Sequence, residues 1–381
     1  MTDAAKLTAD LIRCPSITPQ EGGALNLLAS LLVGAGFECH RVDRNGTPNL
    51  FARWGAKGAA KTFGFNGHTD VVPPGDPTSW THPPFSGHVD AEGTIWGRGA
   101  TDMKSGVAAF AAAAVDFVTH TPPQDGAIIL TVTGDEEGPA HDGTIAILDW
   151  MAGAGEAMSV CLVGEPSNPE TFGEMMKIGR RGSVTYRVHA KGIQGHVAYP
   201  HRVRNPLHAL CWFLDGLASE PLDEGSDHFG PSSLQVTTID CGNTATNVVP
   251  ESATATFNIR FNDLHTPESI DADMQARAAA ISAETGVAIL LTPDVGAESF
   301  VTAPGPFVDL VRRVVTEETG LTPELSTSGG TSDARFVKDH CPVVEFGLVG
   351  KFMHEVDERV PSGQVRALQS VYRRILEEYF A

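Results

Sequence analysis

The chain lacks any apolar run long enough to cross a bilayer. Its most apolar stretch, Val107 to Val115, is mostly alanine and ends at Asp116. That is about half of the roughly 20 residues a spanning helix needs, so a buried helix is expected there. Basic residues are also scarce. Lys and Arg number 27 against 47 Asp and Glu, for a formal net charge of −20. A surface this acidic repels phosphate groups, which excludes nucleic acid and anionic membrane as partners. An anionic substrate would need a local basic pocket. The six cysteines are scattered and form no C-x-x-C pair, which argues against a disulfide framework and a thiolate zinc site; free buried thiols in a reducing compartment are expected. The start, Met1-Thr-Asp-Ala-Ala-Lys-Leu, has no basic segment followed by an apolar one, so a cytoplasmic location is expected. Internal repeats, low-complexity tracts and long charge runs are missing too.

What is present fits a soluble globular protein with a large core. The chain has 381 residues, 41% hydrophobic and 19% charged, a length that predicts two domains. Its first part alternates in type. Helices are expected over Ala4–Ile12, Ala24–Ala35, Met103–Val118 and Thr144–Met151, and strands over Asn49–Trp54, Thr62–Asn66, Ala127–Thr133 and Ser159–Val163. Strand–helix alternation predicts an α/β fold, a mostly parallel sheet with helices on both faces. The middle reads differently: strand Ser183–Ala190, helix Pro206–Leu217, strands Ser233–Asp240 and Ala253–Phe261, helix Ser269–Thr285, strand Val287–Thr292. That order, β-α-β-β-α-β, is ferredoxin-like. The expected organisation is one domain from residues 1–181 and 294–381, with a second, 182–293, inserted into it.

The chemistry-bearing residues fall where apolar strands end in glycine-rich turns, the place where α/β sheets bind ligands. Phe65-Asn-Gly-His68-Thr-Asp70 offers an imidazole with a carboxylate two residues on, suited to a metal-binding His68 oriented by Asp70. Asp102 lies just before the alanine-rich helix. An Asp there is commonly an N-cap; if its two oxygens instead bridge metals, capping falls to Thr101 or Ser105. Glu136 and Glu137 are adjacent carboxylates at a strand end, which repel unless a cation compensates them. Glu137 is placed as a ligand and Glu136 as the general base that faces the attacking water. Glu165, in Gly164-Glu-Pro-Ser167, ends another strand, and His354 closes the set from a glycine-flanked loop late in the chain. Together these make the ligand set of a two-metal hydrolase with its own base.

His196, in Gly192-Ile-Gln-Gly-His-Val-Ala-Tyr-Pro200, belongs to the inserted domain and suits a hydrogen-bond donor offered to a substrate from a movable lid. Basic residues gather at Lys177-Ile-Gly-Arg180-Arg181, with Arg260 in the insert. In so acidic a chain this local excess suggests a carboxylate-binding pocket. Ser326-Thr-Ser-Gly-Gly-Thr-Ser332 offers backbone N–H groups and hydroxyls ahead of a helix expected near Asp333, an anion-binding geometry.

These motifs carry a resemblance over essentially the whole chain. Gly67-His-Thr-Asp70, Gly97-Arg-Gly with Asp102-Met-Lys, and Asp135-Glu136-Glu137 resemble the zinc-dependent metallopeptidase superfamily that includes carboxypeptidase G, aminoacylase and acetylornithine deacetylase. Lys177 with Gly179-Arg-Arg-Gly-Ser183, Gly164-Glu-Pro-Ser167 and Ser326-Thr-Ser-Gly-Gly-Thr-Ser-Asp-Ala-Arg-Phe336 resemble its desuccinylase branch. The resemblance implies hydrolysis of N-succinyl-L,L-diaminopimelate to succinate and L,L-diaminopimelate, in lysine and diaminopimelate biosynthesis. It implies two Zn2+ per subunit, with Co2+ able to replace one: His68 and Glu165 on one metal, Glu137 and His354 on the other, Asp102 shared. A non-proline cis peptide after Asp102 is implied as well. So is a homodimer formed through the inserted domain, with His196 reaching the partner subunit's site. Lys177, Arg180, Asn247, Arg260, Gly330 and Thr331 match its substrate-binding positions.

Two departures stand out. Gly350 occupies the place, four residues before His354, where some members of this branch carry an Asn. The asparagine-rich turn expected in the insert reads Gly242-Asn-Thr-Ala-Thr-Asn247 and matches only at Asn247. A sister enzyme, acetylornithine deacetylase or a carboxypeptidase, needs the same metal core with a different anion pocket. A binding protein that merely kept the fold has no need of the ligands, all of which are present here.

Overall fold

The computed structural model describes residues 2–381. The chain divides into two compact units: one comprises the chain up to Ile178 together with Thr302–Ser326 and Ser332–Ala381, the other Gly179–Val301 with Thr327–Thr331.

Among the described residues, the first unit holds an eight-stranded sheet. Its order is Glu38–Arg41, Asn49–Trp54, Gly126–Thr133, Lys61–His68, Val160–Val163, Val343–Glu345, Met175–Lys177, Glu324–Ser326. The four central strands, from Gly126–Thr133 to Val343–Glu345, run parallel, while the Glu38 and Asn49 strands pair antiparallel at one side. Every residue of Gly126–Thr133 is buried, the mark of a strand covered on both faces. The alanine-rich stretch is indeed a buried helix, Lys104–His120. It packs on Lys61–His68 and against the helices Ala4–Ile12 and Ser362–Phe380. Phe110 lies flat against Phe63 and Phe65, with ring centroids 6.0 and 4.2 Å away.

Two glycines permit close approaches that set the site. A Cβ on Gly106 would lie 2.3 Å from the Gly164 carbonyl oxygen, and one on Gly347 would lie 2.3 Å from that of Glu165. The helix that follows Asp102 and the strand that leads towards His354 can therefore press directly on the Gly164–Glu165 backbone.

The second unit follows the β-α-β-β-α-β order. Its antiparallel sheet runs Ser233–Asp240, Ser252–Phe261, Gly182–Lys191, Ala288–Ala297, with helices Pro206–Ser219 and Pro267–Thr285 packed against it. Alternation is clean in Gly182–Lys191, where Val184, Tyr186, Val188 and Ala190 are buried. Tyr186 stacks on Phe257 at 5.0 Å. The longer helix starts with a capping box made by Thr266 and Ser269.

Three expectations need correcting. The thiols are free, but Cys211 and Cys241 are exposed rather than buried. Neither Thr101 nor Ser105 caps the alanine-rich helix, which has no side-chain cap; the Thr101 hydroxyl donates to Arg359 O at 3.2 Å. The helix after Ser332 is a single turn, Ala334–Val337, too short to concentrate dipole charge for an anion.

Candidate metal centre

All the candidate ligands but Asp102 stand at or beyond the carboxyl end of a central parallel strand. His68 is the last residue of its strand, Glu136 and Glu137 follow Thr133, Glu165 follows Val163, and His354 lies beyond Glu345. Asp102 comes from the turn ahead of the buried helix, where the Asp102–Met103 peptide is cis.

The side chains of these residues meet. His68 Nε2 is 3.2 Å from Asp102 Oδ1, 3.5 Å from Glu165 Oε1 and 3.8 Å from Glu136 Oε2. His354 Nε2 is 2.8 Å from Glu137 Oε1 and 3.3 Å from Asp102 Oδ2. The two oxygens of Asp102 thus face different imidazoles. Asp70 serves the cluster through its neighbours. Its carboxylate accepts the Glu136 and Glu137 N–H groups at 3.3 and 3.1 Å, which fixes the turn carrying both glutamates. The expected role of the Asp70 carboxylate in orienting His68 falls instead to its main chain: His68 Nδ1 lies 2.9 Å from the Asp70 carbonyl oxygen and 3.6 Å from the carboxylate.

The electrostatics follow from this crowding. Burial pushes the carboxyls of Glu136 and Glu165 well above the ordinary value, and the charges of their acidic neighbours add to the push. Burial raises Asp70 to about 6. Burial alone would lower His68, but Asp102, Glu165, Glu136 and Asp70 outweigh it and hold the imidazole well above its usual range. Hydrogen bonds to Asp102 and Glu137 raise His354 to about 10. Buried carboxylates at such separations call for positive charge. A divalent cation would supply it, and the donor atoms of His68, Asp102 and Glu137, and of His68, Glu136 and Glu165, lie within 4.8 Å of one another. The donor set, imidazole nitrogen with carboxylate oxygen, suits zinc and its neighbours.

The remaining predicted residues fall into other groups. Lys177 is buried in the first unit, its ammonium 3.3 Å from Ser326 Oγ. In the second unit Arg180 Nη1 donates to Gly330 O at 3.1 Å. Burial and the charge of Arg181 lower the pKa of Arg260. His196 and Asn247 are neighbours at a two-stranded antiparallel ladder, Gly195–His196 with Val248–Val249: Val197 N–H donates to Asn247 O at 3.1 Å, and His196 Nδ1 accepts from Ala198 N–H at 3.1 Å. Sequence reading gave no role to Arg98 or Glu358, both buried beside the Asp102 turn. Arg98 stands inside a recognised motif, whereas nothing local singles out Glu358.

Imidazoles and carboxylates gathered at one rim of an α/β sheet make a metal-dependent hydrolase. The sequence model of peptidase family M20/M25/M40 matches residues 64–378, and the chain belongs to that family. A succinyl-diaminopimelate desuccinylase of Paracoccus denitrificans is 73% identical over 379 residues, spanning 100% of this chain and 99% of the relative. Another, from Cereibacter sphaeroides, is 65% identical over 379 residues with the same coverage, 100% and 99%. Among solved structures, an M20 family metallo-carboxypeptidase of Sulfolobus solfataricus superposes with a TM-score of 0.76 at 17% identity, over 100% of both chains. A dinuclear metal-binding peptidase of Bacillus subtilis superposes with a TM-score of 0.73 at 16% identity, over 98% of this chain and 97% of that one. Among the described residues, no helix is long and apolar enough to cross a membrane.

Proposed function

We propose that this protein is a cytoplasmic metal-dependent amidohydrolase that converts N-succinyl-L,L-2,6-diaminopimelate and water to succinate and L,L-2,6-diaminopimelate. The observation that carries the chemistry is the division of Asp102 between two imidazoles, 3.2 Å from His68 and 3.3 Å from His354. The full-length likeness to desuccinylases, 73% and 65% identical, supports the substrate.

His68 and Glu165 would hold one divalent cation and Glu137 and His354 the other, with Asp102 shared. Zinc is the proposed occupant, with cobalt able to replace it at one position. Such ions, when bound, lower the pKa of water to about 7 and polarise an amide carbonyl. Glu136 supplies the proton transfers. Burial and its acidic neighbours push its carboxyl well above the ordinary value, the direction in which a carboxylate gains basicity. Its carboxylate takes a proton from the attacking water and delivers it to the departing amine nitrogen. Asp70 holds the turn that aims Glu136.

The substrate's carboxylates are assigned to Lys177, Arg180, Arg260 and the backbone at Gly330 and Thr331, with Asn247 as a further contact. Guanidiniums suit bidentate capture of carboxylates. His196, exposed at the end of its short strand, is assigned to the developing oxyanion in the partner subunit of a homodimer built through the second unit. The exposed Trp212 and Ile239 of that unit, 54% and 55% accessible, support such an interface, because large apolar side chains in contact with water favour association.

The test is hydrolysis by the zinc-loaded protein of N-succinyl-L,L-diaminopimelate against N-acetylornithine. Strong preference for the succinyl substrate upholds the reading. Preference for acetylornithine would keep the metal chemistry and show that Gly350 and its neighbours have remade the specificity.

A further inference from the structure

Two loops far apart in sequence deliver Asp102 and His354, and one buried ion pair ties them together. Glu358 is fully buried and Arg98 is 3% exposed. Glu358 Oε1 accepts the backbone N–H groups of Thr101 at 2.7 Å and of Asp102 itself at 3.1 Å. Glu358 Oε2 accepts Gly99 N–H at 3.1 Å and Arg98 Nη1 at 2.8 Å. Arg98 then reaches along the other loop: Nη1 donates to Glu355 O at 3.2 Å and Nη2 to His354 O at 3.4 Å. The backbones join as well, Gly97 N–H donating to Glu358 O at 2.9 Å.

The His354 loop needs this support. His354 and Asp357 have φ of 64° and 62°, a left-handed conformation that residues with a Cβ hold only when surrounding contacts impose it. Asp357 is pinned by Thr81, whose N–H and hydroxyl both donate to its carboxylate at 2.7 Å. His354 has its carbonyl held by Arg98. Neither Arg98 nor Glu358 belongs to the cluster that could hold a cation.

The geometry points to Arg98 and Glu358 as positioning residues that lock the Asp102 turn and the His354 loop at the spacing a shared pair of cations requires. This rests on the metal-centre reading above. Glu358 accepts from the residue that carries the shared ligand, and Arg98 grips the residue that carries the most distant one. A carboxylate at position 358 is specifically needed. It accepts four N–H groups and donates none, whereas an amide would turn its own N–H groups towards Gly99 or Arg98. Partners of this kind, which orient ligands without touching the metal, typically change metal affinity by about 10–100-fold.

The test compares the full-length protein with Glu358→Gln and Arg98→Lys. Each is stripped by a chelator, checked for folding by circular dichroism, and titrated with zinc against a chromophoric chelator; cobalt-loaded samples give a visible absorption band. The wild type should bind two equivalents. Folded Glu358→Gln should bind zinc about 10–100-fold more weakly, with an altered cobalt band. Arg98→Lys keeps a charge beside Glu358 but loses the second N–H that reaches His354, so it should weaken mainly one equivalent. A folded Glu358→Gln with wild-type affinity and cobalt band overturns the proposal. Should that variant not fold, Arg98→Lys decides it by the same two readings. A wild type that binds no zinc would instead defeat the metal-centre reading itself, which keeps the two failures distinct.

Discussion

His354 Nε2 and Glu137 Oε1 lie 2.8 Å apart although 217 positions separate them in sequence. The contact joins a loop after one central strand to the turn after another. With Asp102 it marks where the second cation would sit. His354→Ala should therefore leave the protein folded with one tightly held equivalent of zinc in place of two and with little turnover. Atomic absorption after dialysis is the check, and two retained equivalents would rule His354 out as a ligand. Stripping the wild type with a chelator should abolish hydrolysis, and added zinc should restore it.

Glu136 shares the cluster but is assigned to proton transfer. Glu136→Gln removes the base and keeps the shape. Turnover should fall by about 10²–10⁴-fold while both metal equivalents remain. Normal turnover by the loaded variant would remove Glu136 from that role.

Gly106 lets the helix behind Asp102 lie against Gly164. Its substitution by Ala would place a Cβ 2.3 Å from the Gly164 carbonyl oxygen, a backbone group that cannot swing aside. Overpacking of this sort costs about 1–3 kcal/mol, and here it would also move Asp102 away from Glu165. Gly106→Ala should lower the denaturation midpoint and weaken zinc binding together; loss of stability with unchanged zinc affinity would show that the contact serves packing alone.

The second unit has a core of its own. Phe257 is fully buried and stacks on Tyr186 at 5.0 Å. Phe257→Ala should destabilise that unit by about 3–5 kcal/mol and leave the zinc content of the first unchanged. Chemical denaturation alongside metal analysis would tell a local effect from a global one.

The thiols divide by environment. Cys211 and Cys241 are exposed, Cys161 and Cys341 buried. Under native conditions an alkylating reagent should label the first two quickly and the last two slowly. Burial pushes the Cys341 thiol from its ordinary 9.0 up to about 12. Between those values the folded chain keeps a proton that the unfolded chain has lost. The stability this group contributes is complete below about pH 9 and declines as pH rises towards 12. Cys341→Ala should flatten the alkaline loss of stability, as read from denaturation midpoints at pH 8 and pH 10.5.

Much of this was legible in residue order. Alternation of strand and helix implied the α/β sheet, and the period-two pattern of Ser183–Ala190 marked the second unit. Runs such as Gly67-His-Thr-Asp70 placed ligand-bearing residues past strand ends, since the residues that close a strand project at its carboxyl edge. Short elements were not legible. Met175–Lys177 and Glu324–Ser326 have three residues each, too few to show a period, and they pair only because the sheet is already there to receive them.

The sequence by itself determined which residues could ligate a metal, because ligand chemistry belongs to the side chain and strand ends are locally encoded. Only the tertiary structure decided which oxygen of Asp102 faces which imidazole, that the Asp70 carboxylate holds the Glu136–Glu137 turn, and that Glu358 and Arg98 clamp two loops together. The Asp70 contacts span 66 and 67 positions, and the groups of the Arg98–Glu358 clamp come within hydrogen-bond reach across 256 to 260. A contact of that span arises when the sheet stacks its strands and leaves no local periodicity or motif to read.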